Sequence, residues 1–102
     1  AAIREVFGAG PDAPWVSSTK AVHGHLIGAT SALELALTVL AMQDALLPAS
    51  AHLGEPDPRC ELHHVGDTPI AGVPYRHALS FSCGFGGTNA ALVVSLPAVA
   101  VP

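Results

Sequence analysis

Residues 32–47 form a nearly continuous apolar run, interrupted by Glu34, Gln43 and Asp44. Extended upstream, the pattern predicts one helix over residues 25–47, stopped by Pro48. A helix that is apolar on nearly every side must be packed on nearly every side, so this one is expected to be central. It is too interrupted to read as a membrane span. Its start is open. Ser31-Ala32-Leu33-Glu34 fits a capping box, which begins the helix at Ser31. An earlier start near His25 leaves Gly28-Ala29 inside the helix, where small residues let another backbone approach. The earlier start is preferred because it sets His25 at the helix N-terminus.

Composition sharpens the point. Of 102 residues, 50% are hydrophobic and 12% are charged. A domain this small exposes much of its surface and normally needs more charge to cover it. Part of the apolar surface is therefore expected to pack against protein outside this sequence, as a fragment of a larger fold or an obligate subunit. The net charge is −4, and the basic residues are Arg4, Lys20, Arg59 and Arg76. They form no basic stripe, which argues against nucleic-acid binding. Cys60 and Cys83 make no disulfide framework and read as free thiols in a reducing compartment. No apolar leader opens the sequence, and the cytoplasm is the expected location.

Around the central helix the chain alternates. Residues 1–7 read as a helix closed by Gly8 and Gly10, with Pro11 barring continuation. Trp15-Val16-Ser17-Ser18 reads as a short strand leading to Lys20. Residues 49–72 are rich in Pro, Gly, Asp and His and read as a surface excursion, with a short strand near residues 62–65. His77-Ala78-Leu79-Ser80-Phe81-Ser82 and Ala90-Ala91-Leu92-Val93-Val94-Ser95 read as two strands joined by a glycine-rich turn, a hairpin. Residues 97–102 are expected to be a loose tail.

Several residues invite chemistry. Lys20 could be a solvated lysine and His25 a structural histidine, but both precede a helix that must be buried. At a helix N-terminus the dipole disfavours imidazolium, and a neutral ring can donate an N–H to a developing oxyanion. Glu34 reads either as part of the capping box or as a carboxylate paired with Lys20. The pairing is preferred, because an unpartnered charge on an apolar helix is expensive. His23, His25, His52, His63, His64 and His77 match no recognised zinc spacing, so no metal site is expected. Gly84-Phe85-Gly86-Gly87 enters a strand rather than opening a helix, which rules against a dinucleotide fingerprint. It reads as a tight turn with Phe85 on a glycine hinge formed by Gly84 and Gly86, able to gate a pocket. Cys83 beside it has no assignable base and reads as small apolar packing.

Ser18-Thr19-Lys20, Gly24-His25-Leu26-Ile27-Gly28-Ala29, Glu34 and Gly84-Phe85-Gly86-Gly87-Thr88-Asn89 together resemble the C-terminal motifs of β-ketoacyl-acyl-carrier-protein synthases. The likeness is to synthase II and its polyketide relatives, and it runs from the first residues to about Val94. It implies an α/β chain forming most of the C-terminal half of a thiolase-like, five-layered αβαβα fold. The implied activity is an acyltransferase that joins malonyl-ACP to an enzyme-bound acyl group by decarboxylative Claisen condensation. By resemblance His25 matches the second of two enolate-stabilising histidines, Lys20 the family's lysine, Glu34 the acid that steadies it, and Phe85 the gating phenylalanine. The nucleophilic cysteine and the first histidine are expected N-terminal to Ala1, so the chain is not expected to act alone. Cys83, Phe81 and Ser31 stand where the family commonly has phenylalanine, asparagine and glycine.

The resemblance implies no tightly bound cofactor, with substrates carried on the phosphopantetheine of acyl carrier protein. The implied partners are the remainder of the ketosynthase, acyl carrier protein, and a second subunit in a homodimer or heterodimer. A rival reading from another class is a non-catalytic partner that sets chain length, or a scaffold piece of a ketosynthase complex. Intact Lys20 and His25 speak against it.

Overall fold

The computed structural model describes residues 1–98. The helices are α1 (Ala2–Phe7), α2 (Lys20–His23) and α3 (Thr30–Gln43), the last entered through a 3-10 turn at Ile27–Ala29. The strands are β1 (Trp15–Val16), β2 (Leu46–Leu47), β3 (His63–His64), β4 (Ile70–Ala71), β5 (His77–Cys83) and β6 (Asn89–Ser95). The mixture is α/β, as expected. None of the described helices is long and apolar enough to cross a membrane. The expected loose tail falls mostly on residues 99–102, which lie outside the described residues.

Two compact units divide the chain. The first unit comprises Ala1–Gly24 and Leu47–Ile70. Gly8 closes α1 with φ 76°, a left-handed value that a side chain would resist. Arg4 pairs with Glu61 at 2.8 Å, tying α1 to the excursion. Strands β1 and β3 run parallel, Trp15 opposite His63 and Val16 opposite His64, and the rings of Trp15 and His63 lie 5.6 Å apart. Val65, 1% exposed, and Leu47 and Ala13 form the buried apolar set of this unit. The strand expected over residues 15–18 stops at Val16, because the Ser18 N–H turns to the Ser50 hydroxyl instead of a neighbouring strand.

The second unit comprises His25–Leu46 and the described residues from Ala71 onward. Its frame is the β5–β6 hairpin, antiparallel from His77 opposite Ser95 to Cys83 opposite Asn89. Helix α3 packs on β5. The helix is shorter than the apolar run predicts. Ile27 (φ 52°) and Ala45 (φ 51°) both take left-handed backbone, which a right-handed helix cannot continue through. The start at Thr30 corrects the preferred start at His25. The capping box does not form either, since Ala29 is the N-cap and the Ser31 hydroxyl bonds to the Ser82 hydroxyl at 2.8 Å. On α3 only Thr30, Ala41 and Met42 are buried by the described chain, so the expected all-round packing is not supplied from within.

Candidate active site

His25 follows Gly24, whose φ of 77° ends α2 and turns the chain toward the 3-10 turn. The ring of His25 is exposed, and its Nδ1 receives two hydrogen bonds. One comes from the Ile27 backbone N–H at 3.0 Å. The other partner is the Thr30 hydroxyl, also at 3.0 Å. A backbone N–H can only donate, so Nδ1 carries no hydrogen, and the neutral ring must carry its proton on Nε2. Among the described residues Nε2 makes no hydrogen bond, which leaves its N–H available as a donor. The expected helix-dipole argument for His25 fails, because α3 begins five residues later. Local acceptor geometry takes its place.

His23, two residues earlier, is different. Its Nδ1 donates to the Gly24 carbonyl at 2.7 Å, and its Nε2 meets the Thr19 hydroxyl at 2.9 Å. Both nitrogens are engaged within the loop, which makes His23 structural. The same bond explains why Thr19, the N-cap of α2, does not cap with its side chain.

Lys20 lies in the first unit and opens α2, a short helix not expected from the sequence. Glu34 lies on α3 in the second unit. Both are half-buried, and neither is without an interaction partner. The Glu34 carbonyl also accepts the Thr38 hydroxyl at 2.8 Å.

Phe85 stands fully exposed on the turn between β5 and β6. The turn is closed by the Gly84 N–H bonding to the Thr88 carbonyl. A Cβ on Gly84 would lie 3.1 Å from that oxygen, so only glycine fits without displacing the closure. Gly86 and Gly87 both have φ 85° and carry the reversal. The two residues flanking Phe85 are therefore suited to glycine for different reasons, Gly84 by its close contact and Gly86 by its backbone angle.

The second unit brings His25, Glu34 and the Phe85 turn onto one scaffold through the first turn of α3. Thr30 bonds the His25 ring, and the next residue, Ser31, bonds Ser82 two positions before Gly84. Neither Thr30 nor the Ile27 N–H is legible as a site residue in the sequence. Their spacings from His25 follow no periodic pattern, and the contact depends on a positive φ at a β-branched residue. Cys60 and Cys83 are free and exposed, so the expected apolar packing of Cys83 is not formed among the described residues. Those residues hold no group of three or more His, Cys, Asp or Glu able to grip a metal ion.

Comparison with known proteins gives the chain its family. Residues 1–54 match the family model described as β-ketoacyl synthase, C-terminal domain. Nodulation protein E of Rhizobium meliloti is 43% identical over 91 residues, covering 89% of this chain and 22% of that protein. Nodulation protein E of Rhizobium leguminosarum bv. trifolii is 41% identical over 92 residues, covering 90% of this chain and 22% of that protein. The 3-oxoacyl-(acyl-carrier-protein) synthase 2 of Staphylococcus aureus is 39% identical over 92 residues, covering 90% of this chain and 23% of that protein. The chain thus spans under a quarter of the length of these relatives. The family model takes in Lys20, His25 and Glu34 and ends before the Phe85 turn. The chain belongs to the β-ketoacyl synthase family, as a C-terminal portion of its thiolase-like fold.

Proposed function

We propose that this chain supplies part of the active site of a condensing synthase, which extends an enzyme-bound acyl group with malonyl-ACP. In that reaction the carboxylate of the malonyl thioester leaves as carbon dioxide, and the electron pair of the broken C–C bond forms an enolate. The enolate carbon attacks the acyl thioester, and the thiolate that held the acyl group departs. The barrier lies largely in building negative charge on the malonyl thioester oxygen, and a preorganised N–H aimed at that oxygen lowers it. His25 is assigned that donor role. The observation that carries the reading is the Ile27 N–H bonded to Nδ1, which reserves the His25 proton for Nε2.

Lys20 is assigned as a fixed positive charge in the same site, and Glu34 as the carboxylate that steadies it. Phe85 is assigned as the gate to the acyl pocket, with the flanking Gly84 and Gly86 as its hinge. The partners proposed are the remainder of the synthase, acyl carrier protein and a second subunit. Substrates arrive on the carrier's phosphopantetheine arm, with no further cofactor required. A soluble cytoplasmic location goes with that chemistry.

The test is made on the complete synthase that carries this chain. Supplied with acyl-ACP and malonyl-ACP, it should release one carbon dioxide for each 3-oxoacyl-ACP formed. A correctly folded synthase that neither releases carbon dioxide nor lengthens the acyl group would contradict the proposal and favour a non-catalytic partner subunit.

A further inference from the structure

Resting on the assignment of His25 as an oxyanion donor, we propose that Thr30 is a positioning residue that holds the His25 ring in its Nε2–H tautomer. Thr30 is the buried polar side chain among the described residues, 3% exposed. A buried hydroxyl needs a partner, and the one it has is His25 Nδ1 at 3.0 Å.

The direction of that bond follows from its neighbour. Nδ1 already accepts the Ile27 N–H, so it bears no hydrogen, and the Thr30 O–H must be the donor. Two donors therefore converge on one ring nitrogen. Flipping the ring by half a turn would set a carbon against both and leave the buried hydroxyl without an acceptor.

The position of Thr30 suits the task. A helical threonine ordinarily turns its hydroxyl to a carbonyl three or four residues back, as Thr38 does to Glu34 at 2.8 Å. Thr30 instead reaches five residues back to a side chain. It is the first residue of α3, a helix of 14 residues, so the donor is carried by a rigid element. The Ile27 donor sits on backbone with φ 52° and 80% exposure, a strained and open segment. Of the two donors, Thr30 is the one whose place does not depend on maintaining that strain.

The experiment compares Thr30→Val, which keeps the shape and removes the hydroxyl, with Thr30→Ser, which keeps the hydroxyl, in the complete synthase. The readouts are the ring 15N shifts of His25, assigned by their loss in His25→Ala, together with single-turnover acyl loading and malonyl-ACP decarboxylation. In Thr30→Val the two ring shifts should move toward each other as the tautomers mix. Decarboxylation should fall by about 10-fold, the scale of losing a partner that orients a functional imidazole. Acyl loading should be unaffected, and Thr30→Ser should restore the wild-type shifts and rate.

Unchanged ring shifts in Thr30→Val, or a Thr30→Ser enzyme as impaired as Thr30→Val, would overturn the proposal. The wild-type spectrum decides even where Thr30→Val does not fold, because a proton on Nδ1 overturns it outright. Shifts that mix while decarboxylation stays at the wild-type rate would leave Thr30 as the tautomer holder. They would instead remove the oxyanion role given to His25.

Discussion

His23 and His25 stand two residues apart and keep their protons on opposite ring nitrogens, Nδ1 in one and Nε2 in the other. The sequence showed two histidines in a small-residue run and, by family likeness, singled out the second. It could not show why. The distinction rests on two donors to one nitrogen, the Thr30 hydroxyl and the N–H of the left-handed Ile27, a conformation that sterics disfavour for a β-branched side chain. Ile27→Pro removes the N–H and forbids the positive φ, so it should cost decarboxylation about 10-fold or more. Ile27→Asn tolerates the same backbone and keeps the donor, and should leave the rate near wild type in the same assay. Tyr75 offers a second residue-scale test. Burial pushes its phenol above the ordinary tyrosine range, and the O–H donates to the Leu46 carbonyl at 2.9 Å. Because the folded value is raised, the stabilisation is fully present below the ordinary tyrosine pKa. It is lost as pH rises through the raised value. Alkaline denaturation of the complete synthase should therefore be less pH-dependent in Tyr75→Phe, and the late phenol ionisation in its ultraviolet titration should be missing from that variant.

Among the elements, the hairpin was legible almost residue by residue. Alternating strands and a glycine cluster leave few other arrangements, and β5 and β6 match the expected strands within a residue. Helix α3 was legible in kind but not in extent, because the breaks at Ile27 and Ala45 fall on residues with no turn preference. The link between the two was not legible at all. The Ser31 and Ser82 hydroxyls meet at 2.8 Å across 51 positions of sequence. Replacing each by alanine in the complete synthase, singly and together, should reveal a coupling of about 0.5–1 kcal/mol in chemical denaturation. The turn itself should be sensitive to backbone chemistry. Gly86→Ala forces a side chain into φ 85° and should cost the complete synthase about 1 kcal/mol of stability. Phe85→Ala should blur chain-length selectivity without unfolding the protein, read from the acyl lengths accepted. Free and acylated crystal structures of the complete synthase with an identical Phe85 rotamer would remove the gating role.

For the whole chain, low charge and high apolar content pointed to surface that needs cover. The structure bears on that expectation directly. Among the described residues the buried apolar ones are Ala13, Ala41, Met42, Leu47 and Val65, while Val22, Ile27, Leu40, Leu92, Val93 and Phe85 are exposed. So small an apolar core is a poor match for the conformational entropy of ordering the chain. The purified 102-residue chain should therefore bind a hydrophobic dye and melt without a sharp cooperative transition. A sharp transition with dispersed amide signals would contradict that expectation. The central claim belongs to the synthase as a whole: His25 serves the making of the enolate and not the loading of the acyl group. The most direct measurement is single-turnover kinetics of His25→Ala in the complete synthase, with the two half-reactions followed separately. Acyl loading should persist while malonyl-ACP decarboxylation slows by about 10²–10³-fold. Collapse of loading with decarboxylation at the wild-type rate would contradict the account.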